Sequence, residues 1–318
     1  MSTRILLGVD TEADDQWSSA GREELAVRNV HELPRLQELC DRYRVLPTYL
    51  VTFEMAVAER ARSQLRELAE SGQCEIGSHH HPWSTPPLVE GHVYPLNLSR
   101  ERYREQLGRL TEAVSKISGE APVSYRAGRN GFAGWQVEIL EENGYLVDSS
   151  VDPFFNEKRK GGPSFAGAPI TPYFVGYDDP RRAGDSRLLE IPVTSALDRK
   201  WPRWLETAYA DVSHAYHFRR SLRLLGIVRP IWLRPSYSKR GDMLSLARRL
   251  LESHVPTANI LFHSSELLVG GSPYNQTRED LERFYRDLEA LLAFLTEGGA
   301  CGATFRQFRE SWCEATAN

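Results

Sequence analysis

The run Cys74-Glu75-Ile76-Gly77-Ser78-His79-His80-His81-Pro82-Trp83 sets three consecutive histidines behind a short strand-like segment. Side chains of an extended strand alternate faces, so Glu75, Gly77, His79 and His81 share one face and Ile76, Ser78 and His80 the other. Two imidazoles at i, i+2 on a strand end can reach one cation. Pro82 has no N–H to give a ladder and predicts the end of the strand. As long as the strand stays regular, His81 rather than His80 accompanies His79. A second stretch, Val9-Asp10-Thr11-Glu12, places two carboxylates at i, i+2 behind the first apolar run. Two histidines and one carboxylate form a three-ligand centre with open positions, the pattern of catalytic zinc and of non-haem iron. Such a metal lowers the pKa of a bound water to about 7 and polarises a carbonyl. One carboxylate would bind it and the other would take a proton, a division that needs two different environments.

Other strand-like runs also end in reactive residues. Tyr125-Arg126-Ala127-Gly128-Arg129-Asn130 supplies Arg126, and Val147-Asp148-Ser149-Ser150 supplies Asp148. These two come from successive strands, so Arg126 can pair with Asp148 and tune a catalytic carboxylate. Phe262-His263-Ser264-Ser265-Glu266 offers His263 as a general acid. Arg234, before Pro235, can hold a sugar or phosphate oxygen, and Asn130 is a further substrate-binding candidate. Trp83, Trp135 and Tyr274 can stack on a pyranose ring, although burial in the core is the commoner fate of one aromatic residue. His31, His92, His214, His217 and His254 have no convergent partners. His214 and His217 stand at i, i+3 on a predicted helix and read as a solvated face.

A scaffold of alternating strands and helices must deliver these groups. The predicted strands are Ile5–Asp10, Pro47–Thr52, Cys74–His79, Val123–Ala127, Leu146–Ser150, Leu188–Thr194, Ile231–Ser236, Ile260–His263 and a short Gly302–Phe305. The predicted helices are Val30–Arg44, Ala56–Ser71, Ser99–Ile117, Gly134–Asn143, Trp204–Leu225, Gly241–His254 and Arg278–Glu297. That alternation implies parallel βα units. Their spacing fits an α/β fold of the (β/α) barrel type, with an open doubly wound sheet as the competing arrangement. Neither G-x-G-x-x-G nor G-x-x-x-x-G-K-[ST] follows the first strand, which counts against nucleotide-binding versions. Polar and ionisable groups gather at the C-terminal strand ends, where barrels of this kind keep their chemistry. No linker divides the chain, so residues 1–318 read as a single domain with a long loop insertion at about 152–187. A loop of that length is either a functional lid or an ordinary insertion holding a hairpin.

The 318 residues are 41% hydrophobic and 26% charged, within the globular range. Lys+Arg 39 against Asp+Glu 43 leaves a net charge of -4, so no basic excess points to nucleic acid. No apolar run approaches a membrane span, and the apolar run after Met1 is too short for a signal peptide. Cys40, Cys74, Cys301 and Cys313 are scattered without a CxxC pair, which excludes a cysteine zinc site and a disulfide framework. A reducing, cytoplasmic location is the expectation. The oligomeric state is not readable.

In this order, Val9-Asp10-Thr11-Glu12, Gly77-Ser78-His79-His80-His81-Pro82-Trp83, Tyr125–Gly131, Val147–Ser150 and Ile260–Leu267 resemble the motifs of the polysaccharide deacetylase family. This is the NodB-homology domain, carbohydrate esterase family four. The resemblance spans about Ile5 to Phe305. It implies a distorted (β/α) barrel of about seven to eight parallel strands. It also implies a hydrolase that removes acetyl groups from sugars with zinc or a similar divalent ion. Carried over, it makes Asp10 the general base and Glu12, His79 and His81 the metal ligands. Arg126 and Asp148 would support the base, and His263 would be the acid. Two departures stand out. The family's acidic pair is adjacent where here it is Asp-Thr-Glu, so base and ligand could exchange roles. The family's histidines are four apart where here they are two apart. The phrases H-H-H-P-W and F-H-S-S-E-L resemble a branch tied to bacterial surface-glycan synthesis, such as O-antigen or capsule. The expected partner is an N-acetylated sugar or glycan precursor, nucleotide- or lipid-linked. Hydrolysis of a non-sugar, possibly cyclic amide is one alternative, and a non-catalytic glycan-binding barrel is another.

Overall fold

The computed structural model describes residues 2–199, 201–211 and 230–316. The predicted helix Trp204–Leu225 is found as Arg203–Asp211, and its remainder, with His214 and His217, lies outside the described residues. Among the described residues one sheet carries nine strands. Its parallel ladders link β1 (Arg4–Thr11), β2 (Pro47–Val51), β3 (Glu75–His80), β4 (Ser124–Ala127), β5 (Val147–Asp148), β7 (Leu189–Glu190), β10 (Thr257–His263) and β11 (Cys301–Gly302). β6 (Tyr173–Phe174) adds antiparallel to β7. The strand order β10-β1-β2-β3-β4-β5-β7-β6 follows the chain, as successive βα units require.

The segment that follows β7 meets β10. Pro192 follows β7 without an N–H to donate, so no ladder continues toward β10. Single bonds close the gap instead. Thr194 N–H donates to Asn259 O at 3.1 Å, and Asn259 Nδ2 reaches Ile191 O and Pro192 O, each at 3.1 Å. The distorted barrel expected from the sequence is therefore closed by one backbone bond and the Asn259 side chain where a regular barrel has a strand pair. The predicted strand Ile231–Ser236 forms β9 (Pro230–Trp232) and is not parallel. It runs antiparallel to β8 (Ser195–Leu197) as a separate pair.

Strand alternation divides the core. Ile5, Leu7 and Val9 face outward into the layer of helices. Leu6 faces inward with Leu50, Val147, Leu189 and Ile191, and Phe305 and Phe308 of the C-terminal helix Phe305–Thr316 close that end. Burying each such side chain stabilises the fold by roughly 1.5–3 kcal/mol. Gly8 also faces inward, and a Cβ there would lie 2.6 Å from the Arg126 guanidinium and 2.9 Å from Phe305. A glycine is therefore what lets the arginine cross the barrel.

The helices follow their apolar spacing. Arg278–Glu297 starts at a capping box between Thr277 and Asp280 and buries Leu281, Phe284, Leu288, Leu291 and Leu295. Arg100–Ser118 is capped by Ser99, whose hydroxyl accepts from Arg102 N–H. Two predicted helices are divided. Val30–Arg44 is a 3-10 turn, Arg28–Glu32, followed by Leu33–Arg42 with Pro34 in its first turn, where a missing N–H costs nothing. Ala56–Ser71 is Phe53–Val57 and Glu59–Glu70, separated at extended Ala58. Glu54 pins the first of these by accepting from Thr52 Oγ1 and Ala13 N–H. The insertion at 152–187 contains β6, the 3-10 turn Lys158–Lys160 and bridges Asn156–Ser164 and Val175–Ala183.

Candidate metal centre and active site

Register brings the reactive residues to one level. Asp10 stands opposite His263, and His79 opposite Arg126. His79 and His81 turn inward together, as alternation requires. Glu12 Oε2 lies 3.3 Å from His81 Nε2 and 3.9 Å from His79 Nε2. The three ligand atoms lie within 4.8 Å of one another, and all three residues are buried. His80 faces the other way, under the helix Arg100–Ser118, with Nε2 2.9 Å from Gln106 Oε1. His81 is thus the companion of His79.

Protonation decides what this trio can hold. His79 Nδ1 is 3.0 Å from the Arg126 carbonyl, which can only accept, so Nδ1 carries the proton and Nε2 presents a lone pair. Burial lowers His79 to about 4, with Arg126 and His263 adding to the shift against the pull of Asp10. Burial and the neighbouring His79 and His80 hold His81 well below its usual value. Burial, then Asp10, Glu54 and Glu266, push Glu12 well above the carboxylate range. The His79 Nε2 lone pair and the Nε2 of neutral His81, whose buried Nδ1 has no partner among the described residues, thus face a buried carboxyl group with no guanidinium bonded to it. That donor set fits a divalent cation, which satisfies all three at once.

Asp10 differs although it is two residues away. Burial raises its pKa, but Arg126, His79 and His263 outweigh burial and leave it below its usual value. Arg126 Nη1 bonds Asp10 Oδ1 at 2.5 Å. The same guanidinium donates to Ser149 O at 2.7 Å and Ser149 Oγ at 2.9 Å, so it is held from both sides. The expected Arg126–Asp148 pair is therefore corrected to Arg126–Asp10. β4 and β5 place Asp148 opposite Tyr125, on the face that Arg126 leaves. Asp148 accepts from Ser150 N–H and Oγ, adjoins Glu190, and does not line the cavity.

His263 Nε2 lies 3.7 Å from Asp10 Oδ2. Its Nδ1 is 2.7 Å from Glu266 Oε1. Glu266 also accepts from Arg234 Nη2 at 2.6 Å and from the Ser236 hydroxyl. Burial opposes ionisation of Glu266, but Arg234, His263 and Ser236 bring it down to about 2. Arg234 Nη2 also lies 3.1 Å from the same Nδ1, so Glu266 and Arg234 together fix the orientation of the ring.

A cavity of about 610 Å3 opens over these groups. Arg234, Asn130, Trp83 and Tyr274 line it. Trp83 has one face taken by His81, with centroids 4.0 Å apart, and donates Nε1–H to Gln16. Asn130 donates to Ser150 O at 2.8 Å. Trp135 packs on Tyr103 outside the cavity lining, so it is not a sugar platform there. His31, His92 and His254 do not line it. Sequence reasoning missed Glu266, Ser149 and Trp17. Only Glu266 had a local signal, three residues after His263 as in a capping box.

Comparison with known proteins agrees with this geometry. Residues 30–147 match the polysaccharide deacetylase family. The matched stretch contains His79, His81 and Arg126, with Asp10 and Glu12 before it and His263 after it. The resemblance read in the sequence thus holds over the strands that carry the paired histidines. No curated protein matches the chain. Among solved structures, a Mycobacterium smegmatis protein provisionally named a polysaccharide deacetylase superposes with a TM-score of 0.57 at 18% identity, covering 98% of this chain and 90% of that one. Puue allantoinase gives 0.54 at 14% identity, with 98% and 89% covered. A 4-alpha-glucanotransferase from Thermococcus litoralis gives 0.54 at 13% identity, with 97% and 38% covered. At these identities the likeness is one of fold.

Proposed function

We propose that this chain is a metal-dependent hydrolase that removes the acetyl group of an N-acetylated sugar, with zinc as the metal, in bacterial surface-glycan synthesis such as O-antigen or capsule. One observation carries the reading. Glu12, His79 and His81 converge as a cation-binding set, with Asp10 beside His79 and His263 beside Asp10. A divalent cation held there supplies Lewis acidity toward an acyl oxygen and toward water. The chain's own residues move the protons. Asp10, ionised and fixed by Arg126, accepts a proton from the attacking water. The water oxygen adds to the acyl carbon, and the carbon–nitrogen bond then breaks. His263, held by Glu266, gives a proton to the departing amine, so acetate and a free amino sugar result. Trp17, edge-on to both His263 and Tyr274, narrows this side of the cavity around the leaving group. The family match supports the deacetylase chemistry. The substrate, its pathway and a cytoplasmic site of action are part of the proposal.

The test is acetate release from N-acetylhexosamine glycosides by the full chain, stripped with chelator and reloaded with zinc. Release restored by zinc supports the reading. Sugar binding without release by the zinc-loaded protein would make the barrel a glycan-binding module instead.

A further inference from the structure

The chemistry at the centre leaves the part of the cavity wall beside Trp83 unexplained. Arg129, Lys160 and Tyr94 line that wall. Arg129 follows β4, where Arg129 and Asn130 take successive left-handed conformations, φ 52 and φ 58, that non-glycine residues rarely adopt. Asn130 is tied down by its bond to Ser150 O, which fixes the turn. The turn sets the Arg129 guanidinium 5.5 Å from the Trp83 ring, whose other neighbour is the metal-ligand candidate His81. Among the described residues no carboxylate lies within ion-pair distance of Arg129. Lys160 arrives from the insertion and pairs with Glu157 at 2.9 Å. Both cations act on the Tyr94 hydroxyl, which burial and Glu157 raise above its usual value. A third cation, Arg22, is close enough to feel Arg129, and it bonds the Gln16 and Trp17 carbonyls. Glu157 pairs with Lys160, which leaves the Arg129 guanidinium without a carboxylate partner among the described residues.

We propose that Arg129 and Lys160, with the Tyr94 hydroxyl, form a phosphate subsite, so that the N-acylated sugar is presented as a glycosyl phosphate. The inference rests on the deacetylase reading and adds the class of substrate. A guanidinium offers a planar fork of donors that matches phosphate oxygens, an ammonium adds a point charge, and a hydroxyl donates once more. The insertion thereby has a task, since it carries Lys160 to the cavity. The phosphate comes from a sugar phosphate, a nucleotide-linked sugar or a prenyl-linked sugar. All three share this chemistry.

Calorimetry on the zinc-loaded full chain tests it, with N-acetylglucosamine 1-phosphate against N-acetylglucosamine. The phosphorylated sugar is expected to bind about tenfold more tightly or better, and the preference to weaken with salt. In a double variant, Arg129→Gln with Lys160→Gln, the ratio of the two affinities falls toward one while the melting temperature holds. Equal affinities in the wild type, or a preference that survives the double variant, would overturn the subsite. Acetate release from the same ligands separates the two claims. A preference lost in the double variant, with no acetate from either sugar, leaves the subsite standing and removes the deacetylase. Equal release and equal binding remove the subsite alone. A nucleotide-diphosphate and a short prenyl-diphosphate N-acetylhexosamine, compared in the same assay, identify which carrier adds affinity beyond the sugar phosphate.

Discussion

Asp10 and Glu12 are two residues apart on one strand end and meet opposite electrostatics. Arg126 keeps the first ionised, while burial among carboxylates raises the second until a cation arrives. Substitutions should separate the roles. Asp10→Asn is expected to lower kcat by about a hundredfold or more while zinc content stays stoichiometric. Glu12→Gln is expected to lower zinc affinity itself, about tenfold or more. Zinc loss from the first variant, or retention by the second, would exchange the roles, which the sequence left open in Asp-Thr-Glu. Glu266→Gln tests the acid. The glutamine keeps its volume beside Arg234 but no longer offers a carboxylate to anchor the His263 ring. A fall in kcat of about tenfold to a hundredfold is expected, with zinc content unchanged. A lower melting temperature with an unchanged kcat would mark Glu266 as purely structural.

At the scale of strands and turns, the site depends on alternation and on close backbone approach. Period-two reading of Glu75–His81 was enough to pair His79 with His81 and set His80 aside, because the strand stays regular through that point. The pairing of Arg126 was not legible. Adjacent strands suggested Asp148, but register decides which face each side chain takes, and register is invisible in a single sequence. Trp135 packs on Tyr103 against the core, the commoner fate that the sequence reading gave to any one of its aromatic candidates. Gly128 gives a test at this scale. A Cβ there would lie 2.5 Å from both the His80 carbonyl and the His81 ring. Gly128→Ala should therefore displace His81, lowering zinc affinity about tenfold and stability by roughly 1–3 kcal/mol. Unchanged zinc binding in a folded variant would show that the turn is not what seats His81.

Across the whole molecule, the parallel barrel and its reactive rim were readable because βα alternation and polar strand ends recur along the chain. The closure was not readable. It rests on Asn259, Pro192 and Thr194, which carry no periodic signal, and the reversal into β8 and β9 follows from that break. Behind the site, the buried pair Asp148 and Glu190 sets a pH limit on the fold. Burial raises both groups, and the adjoining Asp148 raises Glu190 further. A carboxyl group with a folded pKa above its unfolded value of about 4 binds its proton more tightly in the folded state. The stability it contributes is complete below about pH 4 and is lost as pH rises through the folded value. Glu190→Gln mimics the protonated form. Melting temperature against pH should fall less steeply above about pH 4 in the variant than in the wild type. Parallel curves would show that the pair does not share a proton.

The central claim is that Glu12, His79 and His81 hold one metal ion. Anomalous scattering at the zinc edge, from crystals grown with zinc, tests it most directly. A single strong peak is expected at about 2.0–2.2 Å from a Glu12 oxygen and from His79 Nε2 and His81 Nε2. A peak elsewhere, or no peak with these side chains ordered, would contradict the account.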